Sequence, residues 1–217
     1  GERAFPGDGR NVGVPAAKGA IIAFIDADCV AAPDWLASIA AVHSEPGVLV
    51  AGGSIGNRAC NLTSWGSYFS EFDGWMPGTP AGWQDDVAAA NTSYKREIFD
   101  RFGRFAPGRY CSDTEFHDRM VREGIRIRFA PEIRIWHRSL DRFGRFLRHE
   151  FFHGCAFGHL RREFLGFPLY RCVLNSLLWP LVVAALFGRI ARRLLRNGIY
   201  RWQFVVSAPL TLCGVAA

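Results

Sequence analysis

Ala20-Ile21-Ile22-Ala23-Phe24-Ile25-Asp26-Ala27-Asp28-Cys29 is the stretch that decides the fold. Six apolar residues in a row read as a short strand covered on both faces, the kind found inside α/β layers. The run stops abruptly at two carboxylates separated by one residue. In open α/β sheets that edge, where a strand leaves the sheet, is where ligands bind. Downstream, Pro33 suits the first turn of a helix, Asp34 favours its positive end, and Trp35, Leu36, Ile39, Ala40 and Val42 follow at helical spacing. Val48 to Ala51 predicts another strand, followed by Gly52-Gly53. Asn57 to Asp86, with its six Trp, Tyr and Phe residues among glycines and prolines, predicts a long aromatic loop holding one helix.

Ser112 with Glu115 forms a capping-box pattern, predicting a helix from Asp113 to Glu123 that ends at Gly124. Ile125, Ile127 and Phe129 alternate with arginines as in a half-buried strand, which Ala130-Pro131 should break. Ile133, Ile135 and His137 then share one face of a further strand. Strands alternating with helices give an α/β layered domain.

The 217 residues, 49% hydrophobic and 21% charged, can bury a real core and exclude a disordered or collagen-like chain. Six cysteines (Cys29, Cys60, Cys111, Cys155, Cys172, Cys213) lie far apart, with no zinc-like spacing and no signal peptide ahead of them, which favours a reducing compartment. The net charge of +6 hides a division. Residues 1–137 hold 14 Lys and Arg against 17 acids, whereas residues 138–217 hold 12 arginines against 3 acids. The expected organisation is therefore an acidic α/β domain over 1–137 and a basic, hydrophobic helical segment over 138–217.

In that second part Leu140, Phe143, Phe146, Leu147, Phe151 and Phe152 recur at helical spacing between arginines, predicting an amphipathic helix. Cys172 to Gly188 is uncharged for 17 residues, the lower limit for crossing a bilayer, and contains Asn175 and Pro180. A second apolar stretch runs from Phe204 to Ala217. The loop expected between them carries Arg189, Arg192, Arg193, Arg196 and Arg201, a charge bias that places it on the cytoplasmic side. If the acidic domain is on the same side, a single crossing is topologically impossible, so the first segment is expected to be re-entrant or interfacial; the alternative is a true span whose loop violates the charge rule.

Asp26 and Asp28 offer hard oxygens suited to Mg²⁺ or Mn²⁺ shared with phosphate; the alternative is that they cap the following turn. The surrounding residues resemble a known family. Arg10-Asn11-x-Gly13, Ala17-x-Gly19, IIAFIDADC and Pro33-Asp34-Trp35-Leu36 together are similar to the nucleotide-sugar core of family 2 glycosyltransferases, of the GT-A fold group. AAANTSYKREIFDRFGRF (88–105) resembles that family's acceptor-side segment, and CSDTEFHDRMVREGIRIRFAPEIRIWH (111–137) its catalytic helix, strand pair and terminal histidine.

The resemblance implies a mixed sheet with flanking helices and an inverting transfer of sugar from a nucleotide-sugar donor to a hydroxyl acceptor. It implies Asp28 as the main metal ligand, Asp26 near the ribose and the ion, Asp113 as general base, His137 completing the metal or diphosphate site, and Arg10 touching the nucleotide. The glutamate that precedes the base in the family is Ser112 here. Asp85, Asp86 and Asn91 are candidates to border the acceptor or donor sugar; the alternative for Asp85-Asp86 is a solvated turn. The family's first strand, nucleotide loop and second strand precede the matching region, so the chain is expected to be a fragment lacking roughly 70 to 90 residues, about half an ordinary domain.

The expected partners are the donor, a glycan or lipid-linked acceptor and membrane lipids, with the catalytic part on the cytoplasmic face. A nucleotidyl- or phosphosugar transferase on the same sheet would keep the D-x-D pair without needing Asp113 as a base. A nucleic-acid surface is disfavoured, because the arginines flank apolar stretches that nucleic acid would leave bare.

Overall fold

The computed structural model describes residues 5–58 and 61–217; Cys60 lies outside the described residues. The chain divides into two units, residues 1–56 with 79–136, and residues 57–78 with 137–217. The first unit opens with helix α1 (Pro6–Ala16). Pro6 occupies its first turn, and Asp8 reaches back to accept from the Phe5 amide at 2.9 Å. Strands β1 (Ile21–Ile25) and β2 (Cys29–Ala31), helix α2 (Trp35–His43), strand β3 (Val50–Asn57), strands β4 (Gly82–Gln84) and β5 (Asn91–Lys95), helices α4 (Glu97–Phe102) and α5 (Ser112–Arg122), and strand β6 (Ile127–His137) follow; helix α3 (Leu62–Phe72) belongs to the second unit. The sheet order is β1-β5-β3-β6-β2, with β4 paired to β6. Antiparallel pairing sets Ile21 opposite Lys95 and Ile25 opposite Asn91, and Val50 opposite Tyr94.

The β1 reading holds in place and length, but not in coverage. It stands at one end of the described sheet, paired to β5 alone, so Ile22 is buried while Ile25 is 38% exposed. β3 runs through Gly52-Gly53 instead of ending before them, because a side chain on Gly53 would collide with the Ile133 carbonyl and the Asn91 amide. β6 likewise passes through Pro131 unbroken. Proline gives up only its N–H there, and its carbonyl accepts from Ser54 Oγ at 2.7 Å.

The core on one side of the sheet is aromatic. Phe24 of β1 and Tyr94 of β5 make edge contacts with Phe99 of α4 and with Phe105, and Phe116 of α5 stacks on Phe99 at 5.4 Å. Asn11 of α1 clamps this layer to the loop before α5, donating to the Phe105 carbonyl and accepting from its amide. α2 buries Trp35, Ile39 and Val42, whereas Leu36 points outward.

The second unit consists of α3 and helices α6 (Phe143–Glu163), α7 (Leu169–Leu177), α8 (Trp179–Asn197) and α9 (Arg201–Ala216). The one helix expected within the aromatic segment after Asn57 is α3: Asn61 caps it by accepting from the Ser64 amide at 2.9 Å. Gly66 lets α3 approach α9, since a Cβ there would sit 2.8 Å from that of Leu210. Trp65, Tyr68 and Phe69 pack against Tyr200 and Phe204.

The expected arginine loop is mostly helix. Arg189, Arg192, Arg193 and Arg196 belong to α8, where Arg193 pairs at 2.6 Å with Asp73, which is buried. No single helix among the described residues is long and apolar enough to cross a membrane; α7 and α8 satisfy length and composition only as a pair bent by 84°.

Candidate functional site

β1 ends at Ile25, and Asp26-Ala27-Asp28 turn the chain into β2, closed by the Cys29 amide donating to the Asp26 carbonyl at 3.0 Å. Arg10 projects from α1 to this turn and holds Asp26 Oδ1 at 2.9 Å, its guanidinium also lying over the Phe105 ring. The Arg10 side chain is nearly buried, at 11% exposure, and the Asp26 side chain is 41% exposed. The two residues expected to meet the nucleotide therefore meet each other first. Asp28 is exposed. Its Oδ1 lies 3.8 Å from the Cys29 sulfur, and burial together with the Asp28 and Asp26 charges pushes the Cys29 thiol up to about 12.

Asp113 lies in the first turn of α5, but the helix starts one residue earlier than the capping pattern suggests. Ser112 is its first residue and is buried, while Cys111 occupies the cap position in the left-handed region, φ 58°. Glu115, the expected partner of Ser112, instead binds Arg119 at 2.8 Å along the helix. Asp113 Oδ2 accepts from the Ala89 amide at 3.3 Å, which ties the base candidate to the segment entering β5.

Beside Asp113 lies a polar chain, half-buried at Asp86 and buried at His117 and Tyr94, of which sequence reading named only Asp86. Asp86 accepts from Thr114 Oγ1 at 3.0 Å and takes His117 Nδ1 at 2.5 Å, and His117 Nε2 meets the Tyr94 hydroxyl at 2.6 Å. A carboxylate only accepts, so Nδ1 carries the proton and the imidazole tautomer is set. Tyr94 is held well above the usual phenol range, mainly by burial and next by the Asp113 charge. The available signal was spacing: His117 lies one helical turn beyond Asp113.

The three candidates for bordering a sugar have these partners in the structure. Asn91 is 1% exposed; it donates to the Ser54 carbonyl at 3.0 Å and the Ile133 carbonyl at 2.8 Å, and accepts from Trp35 Nε1 at 2.8 Å. Every polar atom of its amide is thus spent joining β5, β3, β6 and α2. Asp85 is a solvated partner of Arg126, at 2.9 Å. Asp86 orients His117. His137 falls in the second unit, where Nδ1 bonds Ser139 Oγ at 3.1 Å and the ring packs 4.8 Å from Phe72.

A mixed α/β sheet with paired carboxylates at a strand end and a carboxylate in the first turn of a following helix defines a GT-A-type fold. Residues 2–109 match the family model Glycosyl transferase family 2. Among solved structures, the chain is similar to the mannosyltransferase PcManGT from Pyrobaculum calidifontis, in complex with GDP-Man and Mn²⁺. Identity there is 18% and the TM-score 0.56, over 99% of this chain and 66% of that one. The chain therefore spans just under two thirds of that relative's length. Weaker likenesses are GalNAc-T7 with UDP, GalNAc and Mn²⁺ (17% identity, TM-score 0.45, 61% of this chain and 30% of that one) and S. aureus TarS with UDP-GlcNAc (11%, 0.43, 97% and 70%). No curated protein matches the chain.

Proposed function

We propose that the chain belongs to an inverting glycosyltransferase that moves a sugar from a nucleotide-sugar donor to a hydroxyl acceptor at a membrane surface. The observation that carries this reading is the placement, in one unit, of the D-x-D turn after β1 and of Asp113 in the first turn of α5.

The donor set fits a divalent cation of the Mn²⁺ or Mg²⁺ kind. Asp28 is exposed at the turn and Asp26 is 41% exposed beside it, so the turn presents two hard carboxylate oxygen donors. Asp28 would hold the ion, with Asp26 beside it. Such an ion supplies positive charge against the departing diphosphate.

Arg10, by binding one oxygen of Asp26, fixes the turn while leaving the other oxygen for a ribose hydroxyl or the ion. Asp113 accepts the acceptor hydroxyl's proton as that oxygen bonds to the anomeric carbon and the bond from that carbon to the diphosphate oxygen breaks. With Asp113 acting as base the transfer is a single displacement at the anomeric carbon, which inverts it. The Asp86–His117–Tyr94 chain anchors the α5 turn that carries Asp113. The D-x-D turn and Asp113 lie in the first unit, and His137 keeps the metal or diphosphate role that the resemblance implies.

Membrane association is supported by the second unit. Leu169, Leu174, Leu177, Trp179 and Leu181 are exposed along the bent pair, and all twelve cations of residues 138–217 are arginine. The arginine bias favours the cytoplasmic face.

The test is Asp113→Asn in purified protein with a radiolabelled nucleotide sugar. Donor binding is expected to persist while turnover falls by about 10² or more. Unchanged turnover would remove Asp113 as base and favour a nucleotidyl- or phosphosugar transferase on the same sheet.

A further inference from the structure

One turn of α6 reads His149-Glu150-Phe151-Phe152-His153. Two histidines four residues apart, with a glutamate after the first, form a spacing that on a helix serves zinc. The ring centroids of His149 and His153 lie 5.7 Å apart, nearly parallel at 26°. Glu71, on α3 of the same unit, places Oε1 2.6 Å from His149 Nε2. Ligand atoms of Glu71, His149 and Glu150 all lie within 4.8 Å of one another. A separate observation points to a ligand: Glu150 Oε1 is buried with no hydrogen-bond partner among the described residues.

We propose that Glu71, His149 and Glu150 form a divalent transition-metal site of the zinc class that staples α3 to α6. One imidazole nitrogen with carboxylate oxygens is a zinc-type donor set, and metal–ligand distances of about 2.0–2.2 Å require donor separations near 3.5 Å. To reach that geometry the 2.6 Å Glu71–His149 pair would open as the ion displaces its hydrogen bond, while wider separations, up to 4.8 Å, would close. A dication offsets both carboxylates at once.

The arrangement differs from the hydrolytic use of this spacing, in which both histidines bind the metal and the glutamate stays off it. Here the Glu150 oxygen belongs to the cluster, and His153 presents its ring to Phe157 at 5.0 Å. The site acts as a cross-link within the second unit and is independent of the glycosyl-transfer reading.

The experiment uses the full chain carrying Asp28→Asn, so that the proposed donor site does not contribute. Zn²⁺ binding is measured by competition with a chromophoric chelator, Co²⁺ binding by its visible spectrum, and thermal stability with and without Zn²⁺. About one equivalent of Zn²⁺ is expected, with a raised melting temperature. Glu71→Gln, Glu150→Gln and His149→Gln, each checked for a native circular dichroism spectrum, should weaken binding about tenfold or more, and His153→Ala much less. Absence of binding in the Asp28→Asn protein overturns the proposal, as does a folded Glu71→Gln variant that binds like its parent. Loss of binding in His153→Ala but not in Glu150→Gln overturns the assignment in favour of the hydrolytic arrangement.

Discussion

Replacing Asn91 by alanine separates a core role from a sugar-binding one. The amide makes three buried hydrogen bonds, to the Ser54 and Ile133 carbonyls and from Trp35 Nε1, at 2.8 to 3.0 Å. Each contributes about 1 kcal/mol net, and leaving its partner unpaired in the interior adds a further cost of similar size. The site is 1% exposed, so water does not readily replace the amide. A destabilisation of about 3–5 kcal/mol follows, large against the total stability of about 5–15 kcal/mol of an ordinary domain. With a urea slope of about 2 kcal/mol/M, the unfolding midpoint should drop by about 2 M. Asn91→Asp should do at least as much harm, because it turns the donating nitrogen into an oxygen facing two carbonyls. Urea melts followed by tryptophan fluorescence suit the assay, since Trp35 is one of the partners. An alanine variant that melts with the wild type yet loses turnover would refute this reasoning and place Asn91 at the substrate.

Asp28→Asn is expected to lower Mn²⁺-dependent turnover by about 10² or more while leaving the melting temperature unchanged, because the residue is exposed on a turn; Mn²⁺ titrations of initial rate check it. His43, bonded to Ser93 Oγ, has its pKa lowered from 6.5 by burial and next by the Lys95 charge. The unfolded chain then binds the extra proton first, so this contribution is complete above about pH 6.5 and is lost as pH falls toward the folded value. Melting temperatures measured from pH 7.5 to 5 should decline, and less steeply in His43→Gln. Flotation with vesicles should recover the protein at high salt, with anionic lipid strengthening binding at low salt; recovery in the soluble fraction under both conditions would remove the membrane reading.

The parts of the fold legible in the sequence were those whose signal is local. The run from Ala20 to Ile25, the helix beginning near Asp34 and the helix from 112 onward each carry their own periodicity and punctuation. The misread parts depend on partners distant in sequence. Gly52-Gly53 and Ala130-Pro131 look like breaks, yet β3 and β6 continue through them, because the glycine is needed where Ile133 and Asn91 press against it and the Pro131 carbonyl finds Ser54. The one helix expected in the aromatic segment could not be placed from sequence, because its aromatic side chains pack against Tyr200 and Phe204, well over a hundred positions away. Charge placed the arginines of 189–201 in a loop, whereas α8 absorbs most of them and one is paired with Asp73.

The candidate site divides along the same line. The D-x-D turn and Asp113 stood out because each sits at the end of an element with its own sequence signature. What holds them was not visible, because Arg10 reaches across 16 positions to Asp26 and Asp86 across 31 to His117. These supports also assign different work to similar residues. Asp85 and Asp86 are adjacent and chemically alike, yet one faces solvent opposite Arg126 and the other fixes the tautomer of a buried imidazole whose far nitrogen meets Tyr94. Tyr94 in turn sits in β5, between β1 and β3 in the sheet. The chain from Asp86 to Tyr94 therefore joins the α5 turn bearing Asp113 to the strand beside β1, whose end bears Asp26 and Asp28. The carboxylates assigned to the donor and to the acceptor proton are thus held by one continuous set of contacts, and a metal turn and a base must keep a constant separation if both are to act on one anomeric carbon.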